Sequence, residues 1–244
     1  MRQKTVLINL RWAFPDKNEE WYKNTMKKCY KFFTKEFLDF ISFPKNYSSS
    51  KVKFKNLEVL SAAHAMKKGI ILVGSHYGSF DKLFYALSQE EYNLTGVAYK
   101  QNNSGADIFF KQIRENFMED QLYKGGDIKQ LKNALVKNNI LILLSDQDAK
   151  KKGTMAKFFG IDSSTHSGAA ILSKRNRSPI IYTSITLKTI FMKWSLCILI
   201  HLEASMILYN IIHQKLKKQL STIQSNIFGF IKDGSRLGHT NEEN

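Results

Sequence analysis

The 244-residue chain is short of cysteine, proline, arginine and long apolar runs. Its two cysteines are Cys29 and Cys197, and neither belongs to a C-x-x-C pair. That excludes a disulfide-built scaffold and argues against a thiolate-held zinc or iron–sulfur centre. It also fits a reducing compartment. Three prolines and 13 glycines exclude a collagen-like or linker-dominated chain. The longest stretch without a charge, residues 219–231, is 13 residues and mostly polar. A membrane-spanning helix needs about 20 apolar residues. Residues 1–10 lack an apolar segment followed by a small-residue cleavage site, so no secretory signal is expected. These absences predict a protein that is cytoplasmic or lies on a membrane surface.

Charge is what the chain has in excess. Lysine and arginine number 37 against 21 aspartates and glutamates, a net +16, and only six of the cations are arginine. Such an imbalance suits an anionic partner: nucleic acid, an acidic protein, a phosphorylated substrate or an anionic lipid. Apolar residues at 43% and charged residues at 24% are ordinary for a folded protein. The length suits one large domain. We expect a single unit over residues 1–244, with a basic aromatic helical region at 1–60, an α/β core at 61–205 and a C-terminal helix and tail at 206–244.

The first 60 residues carry 12 of the 30 aromatics, and 13 basic against 6 acidic residues, net +7. Apolar residues at Tyr22, Met26, Cys29, Tyr30, Phe33, Phe37, Phe40 and Ile41 repeat with a helical period. Lys23, Lys27, Lys28, Lys31 and Lys35 fall largely off that stripe. Two readings are open, and one helix can satisfy both. The stripe packs on a core, or it lies at a lipid interface with its lysines toward head groups.

From residue 69 the pattern alternates. Short apolar runs at 69–74, 94–99, 140–144, 180–187 and 191–202 read as strands. Residues 79–89, 105–118, 127–137 and 164–174 read as helices, the first with Ser79 as N-cap. This predicts an α/β fold, a mostly parallel or mixed central sheet covered by helices. Residues 210–223 read as a basic helix and 233–244 as a polar tail.

Chemistry concentrates where strands end. His76 follows the buried run at 69–74 in a glycine-loosened turn, Gly74-Ser75-His76-Tyr77-Gly78, and Asp81 comes five residues later, early in a helix. Ligand sites of open α/β sheets lie at the carboxyl ends of strands. A carboxylate on one imidazole nitrogen fixes the tautomer and makes the other a better base. Asp81 is the candidate carboxylate. No G-x-S-x-G elbow surrounds Ser75 or Ser79, so a serine nucleophile is not expected. Asp146-Gln147-Asp148 ends another buried run and meets the same cleft edge if the two strands are parallel. No further oxygen ligands accompany it, so hydrogen-bonding roles are preferred to a Mg²⁺ site. Lys150, Lys151 and Lys152 form a positive rim or a solvated loop. His166 reads as a helix-start residue.

The H-x4-D element on a strand–turn–helix resembles the glycerolipid acyltransferases, with a glycerol-3-phosphate acyltransferase-like fold. The order of further motifs is similar to the bacterial lipid A biosynthesis acyltransferases. Those motifs are Asn9-Leu10 with Phe14-Pro15; His76, Gly78, Phe80 and Asp81; Tyr99-Lys100 with Asn102-Asn103; Arg114; Asp146-Gln147-Asp148; and Phe158-Phe159-Gly160 followed by Thr165 and Gly168. They span residues 7–185. The family pattern departs at Glu115, where a second arginine is usual, and near residues 227–236, where a Trp-x-His-Arg-Arg-like element is reduced to Phe228 and Arg236. Its members usually open with an apolar anchor; here either that anchor is truncated or absent, or attachment rests on the basic aromatic N-terminal helix.

The resemblance implies acyl transfer from an acyl carrier protein thioester to a hydroxyl of a lipid A precursor or related glycolipid. His76 would be the base and Asp81 its orienter. Arg114 and Lys100 would neutralise phosphate or oxyanion charge. Asp146, Gln147, Asp148, Phe158, Phe159 and Gly160 would shape the substrate site. It implies no cofactor and no metal, an acidic protein donor, a lipid acceptor, and a peripheral place on the cytoplasmic face of the bacterial inner membrane. Another lipid acceptor, such as a lysophospholipid, would use the same residues. A basic nucleic-acid-binding protein is the alternative of a different class, but no RNP, KH or zinc signature supports it. An inactive family member is a third.

Overall fold

The computed structural model of the chain describes residues 3–43, 53–76, 78–186 and 189–195. Its centre is a seven-stranded sheet in the order β1-β9-β8-β2-β5-β3-β4. The strands are β1 (Lys53–Lys55), β2 (Ile70–Gly74), β3 (Leu94–Ala98), β4 (Asp120–Tyr123), β5 (Ile140–Leu144), β8 (Ile180–Thr186) and β9 (Thr189–Ser195). β8, β2, β5, β3 and β4 are mutually parallel. β9 folds back antiparallel on β8, and β1 pairs parallel with β9. The expected mostly parallel sheet is therefore present.

Parallel strands buried on both faces need uninterrupted apolar runs. β2 (IILVG) is buried throughout, and its alternate residues feed two cores. Ile70 and Leu72 join Ile140, Ile142 and Leu94 under α3 (Leu57–Ala65), α4 (Phe80–Ser88) and α5 (Ser104–Glu115). Ile71 and Val73 join Leu141, Ile180 and Tyr182 under α6 (Ile128–Val136) and α7 (Gly168–Asn176).

The N-terminal region forms α1 (Gln3–Ala13) and α2 (Glu19–Ile41). The helical stripe is real and it packs. Tyr22, Cys29 and Phe40 are buried, with Cys29 in one core and Phe40 in the other. Lys23, Lys27, Lys28 and Lys31 are exposed. Asn18 caps α2 by accepting from the Trp21 N–H at 2.9 Å.

Three expectations need correction. Residues 164–174 are not one helix: Thr165 ends β7 (Ile161–Thr165), which pairs antiparallel with β6 (Thr154–Phe158), and α7 starts at Gly168. The hairpin turns through Phe159 and Gly160 with φ of 51° and 84°. That is the primed turn which normally announces itself as Asn-Gly or Asp-Gly, so a phenylalanine conceals it. β4 escaped notice because DQLY lacks an apolar run. Ser79 is the N-cap of α4 by position, yet its hydroxyl caps nothing and donates to Glu36 instead. The expected helix at 210–223 and tail at 233–244 lie outside the described residues.

The turn after β2 depends on Gly78. Its φ is +72°, and a Cβ there would lie 2.9 Å from the Ile185 carbonyl oxygen and side chain. Gly78→Ala is expected to cost roughly 1–3 kcal/mol through combined strain and overlap, measured by urea unfolding. Unchanged stability would mean that the turn has another accessible path.

Candidate functional site

β2 and β5 pair in parallel with Gly74 opposite Leu144. Two residues further along each chain stand His76 and Asp146. The register therefore brings imidazole and carboxylate together at the carboxyl edge of the sheet. The His76 backbone N–H donates to Asp146 Oδ2 at 2.9 Å, and Nδ1 lies 2.8 Å from Oδ1. The Asp146 side chain is fully buried, whereas that of His76 is 31% exposed. A carboxylate accepts, so Nδ1 carries the proton and Nε2 is the basic nitrogen. The Phe80 ring meets the imidazole edge-on at 5.5 Å and limits its rotation.

This corrects the expected orienter. Asp146, not Asp81, engages Nδ1. Asp81 lies in the first turn of α4 and lines the same cleft as His76. Its enclosure pushes its pKa up to about 7, against the pull of the nearby Arg114 and His76 charges; Glu36 raises it further. Asp81 therefore holds its proton well above the usual carboxylate range.

The cleft has a volume of about 900 Å³. Its lining is mixed. Phe33, Phe37 and Phe40 from α2, with Phe84, Phe110 and Met118, supply apolar surface. His76, Asp81, Arg114, Gln147, His166 and Lys124 supply polar groups. Two links clamp α2 over the start of α4: Ser79 donates to Glu36, and one turn on Lys82 pairs with Asp39 at 2.6 Å. They hold the phenylalanines of α2 over the turn that carries His76. Such a cleft suits a ligand with a long apolar part and a polar reacting end.

Arg114 sits on α5, half-buried in the cleft wall. Burial lowers its pKa, while Asp81 and Asp107 raise it. Its guanidinium donates to Gln121. Gln147 lines the cleft, whereas Asp148 turns to accept the Lys150 N–H at 2.8 Å. Lys100 is exposed and is not among the cleft-lining residues. Phe159 also lies elsewhere: it packs edge-on against Phe14 at 5.6 Å in the second core. Gly160 is exposed at the hairpin turn, and only the backbone of Phe158 is described, in β6. The substrate-wall role expected of these aromatics falls to the phenylalanines of α2, α4 and α5.

Sequence reasoning missed Glu36, Tyr99 as a cleft residue, Gln121, Lys124 and Asn9 as a cleft residue. Asn9 had been noticed only as part of a motif. It is 3% exposed, it lines the cleft, and its Oδ1 has no hydrogen-bond partner among the described residues; Gln121 also lines the cleft, and its Nε2 has none among them either. Nothing short of the packing of α1 over the cleft could reveal this. Among the described residues no group of His, Cys, Asp and Glu could hold a metal ion.

Asp81 gives the site a testable electrostatic cost. Its folded-state pKa is about 7, above the usual 3.8. A group raised in this way adds no cost below its unfolded pKa and opposes folding increasingly as pH rises through the folded one. Asp81→Asn should therefore gain stability over the parent at pH 8.5 and not at pH 4. Thermal melts at both pH values check this; an equal gain at both would contradict it.

A comparison with curated proteins finds no match. The family model described as bacterial lipid A biosynthesis acyltransferase matches residues 1–222. That match covers the strand-end histidine, the buried aspartate behind it and the aromatic cleft, and the chain belongs to the bacterial lipid A biosynthesis acyltransferase family.

Proposed function

We propose that this acyltransferase moves a fatty acyl chain from an acyl carrier protein thioester to a hydroxyl of a lipid A precursor, with His76 as general base. One observation carries the reading: a histidine at a strand end has Nδ1 held by a buried carboxylate and lines a cleft that several phenylalanines share. The acceptor O–H gives its proton to Nε2 as its oxygen attacks the thioester carbon. The new C–O bond produces a tetrahedral oxyanion. Collapse breaks the C–S bond, and the proton on Nε2 passes to the departing thiolate. Asp146 holds the tautomer and stabilises the transient imidazolium. Asp81, when ionised, adds a second negative charge near that imidazolium. Arg114 balances Asp81 and supports the oxyanion. The acyl chain lies along Phe33, Phe37, Phe40 and Phe110. The chain's net +16 suits an acidic carrier protein as donor.

Among the described residues no helix is long and apolar enough to cross a membrane. Attachment at the cytoplasmic face then rests on the surface. Phe37 and Leu38 of α2 and Ile108 and Phe109 of α5 are exposed, and the ring contact of Phe37 with Phe110 at 6.2 Å joins the two helices. Ile8 and Trp12 of α1 are exposed as well. With the lysines of α2 they form an apolar and basic surface beside the cleft.

Two predictions follow from this reading. His76→Ala should lower turnover with an acyl carrier protein thioester and a lipid A precursor by about 10²–10⁴-fold. Asp146→Asn should lose more than Asp81→Asn, because it removes the group that holds Nδ1. Mass-spectrometric product assays test this, with circular dichroism to verify folding. Full activity of His76→Ala would overturn the mechanism.

Replacing Lys23, Lys27, Lys28 and Lys31 by Gln should weaken binding to anionic vesicles in low salt, since each lysine near an anionic surface contributes about 1 kcal/mol. Neutral vesicles should bind little of either protein. Unchanged binding at low and high salt would assign the helix to packing alone.

A further inference from the structure

A second pair of residues is brought together by strand register, on the same edge of the sheet as His76 and Asp146. β3 and β4 pair in parallel with Ala98 opposite Tyr123. The next residue of each chain is Tyr99 and Lys124. The Lys124 ammonium donates to the Tyr99 hydroxyl and stands 4.5 Å from the centroid of its ring. It also lies 3.4 Å from His166 Nε2, which arrives on the segment between β7 and α7. All three line the cleft that holds His76.

The cluster is held from behind. The Lys124 N–H donates to the Ala98 carbonyl at 2.8 Å. The segment after Tyr99 is fixed by Asp107, which accepts from the Gln101 N–H at 2.8 Å and from the Tyr123 hydroxyl at 2.6 Å. No carboxylate among the described residues lies within ion-pair distance of Lys124. Arg114 differs: it faces Asp81 and Asp107 and spends a donor on Gln121. Lys124 is the less compensated of the two cleft cations.

We infer that Lys124, Tyr99 and His166 form a subsite for a phosphate monoester carried by the acceptor lipid. Lys124 and the Tyr99 hydroxyl offer donors of different lengths at one point of the wall, and His166 becomes a third on protonation, which suits the several oxygens of a tetrahedral dianion better than the two of a carboxylate. Lysine recognises such a group as a point charge. The assignment to the acceptor rests on the acyl-transfer reading; the phosphate subsite itself does not. Burial and the Lys124 charge lower the pKa of His166, against the pull of Asp148 and Asp146. A bound dianion would reverse that balance and favour the imidazolium.

The binding test uses octyl phosphate as ligand and octyl glucoside as neutral control. Calorimetry gives the affinities and NMR follows the His166 imidazole titration. Octyl phosphate should bind the parent and His76→Ala alike, raise the His166 pKa, and bind Lys124→Gln at least tenfold more weakly. Equal affinity for Lys124→Gln, an unmoved His166, or equal binding of the glucoside would overturn the subsite. The kinetic test compares a phosphorylated acceptor with its dephosphorylated form. Lys124→Gln should raise KM at least tenfold for the first and leave the second and the thioester KM unchanged. A rise confined to the thioester would overturn the assignment to the acceptor. Absence of transfer by the parent with every acceptor would overturn the enzymatic reading, and the octyl phosphate result would still decide the subsite.

Discussion

The parallel register between β2 and β5 is the constraint on which the site depends. It sets Gly74 against Leu144, and the loops that leave those strands then have no choice about which side chains meet. His76 arrives with a backbone N–H and a ring nitrogen that both find Asp146. A slip of one residue would move every side chain of the strand to the other face. The apolar runs IILVG and ILILL resist that slip because both faces are buried and each residue has a place in one of two cores. Burial of aliphatic side chains thus fixes the position of His76 and of the carboxylate that holds its Nδ1.

The same edge of the sheet sorts charge. Asp146 is fully buried and gives two acceptor oxygens to His76. Asp81 faces the cleft, and its enclosure raises its pKa to about 7. Arg114 offsets it from α5. Lys124 stands away from these carboxylates, after the next pair of strands. A gradient results, from carboxylates around the imidazole to an open cation at Lys124. The phenylalanines of α2 close the cleft between them. The Ser79–Glu36 and Lys82–Asp39 links set how closely they do so.

Much of this was legible in the sequence, for physical reasons that vary by element. The buried runs at β2 and β5 and the periodic stripe of α2 announce themselves because burial demands them. His76 and Asp146 each stand just past such a run, so their placement at a strand end could be read directly. Their contact could not, because register is a long-range property. Sequence spacing favoured Asp81, five residues from His76, over Asp146, seventy residues away. β4 and the β6–β7 hairpin were hidden by a polar edge strand and by a phenylalanine with positive φ. The family resemblance places Phe159 at the substrate site, while its residue type leaves core and acyl-chain wall both open; in the fold its ring packs on Phe14 and the second core. Lys124 and Glu36 carry no local signal at all, Asn9 has only its place in a motif, and packing alone brings them to the cleft.

The central claim is that Asp146 fixes the His76 tautomer and leaves Nε2 as the base. Nitrogen-15 NMR of the imidazole tests it most directly, near pH 8 with His76→Gln used to assign the resonance. The account predicts a neutral His76 with its proton on Nδ1, retained in Asp81→Asn and lost or redistributed in Asp146→Asn. A proton on Nε2 in the parent, or a tautomer that responds to Asp81→Asn and ignores Asp146→Asn, would contradict it.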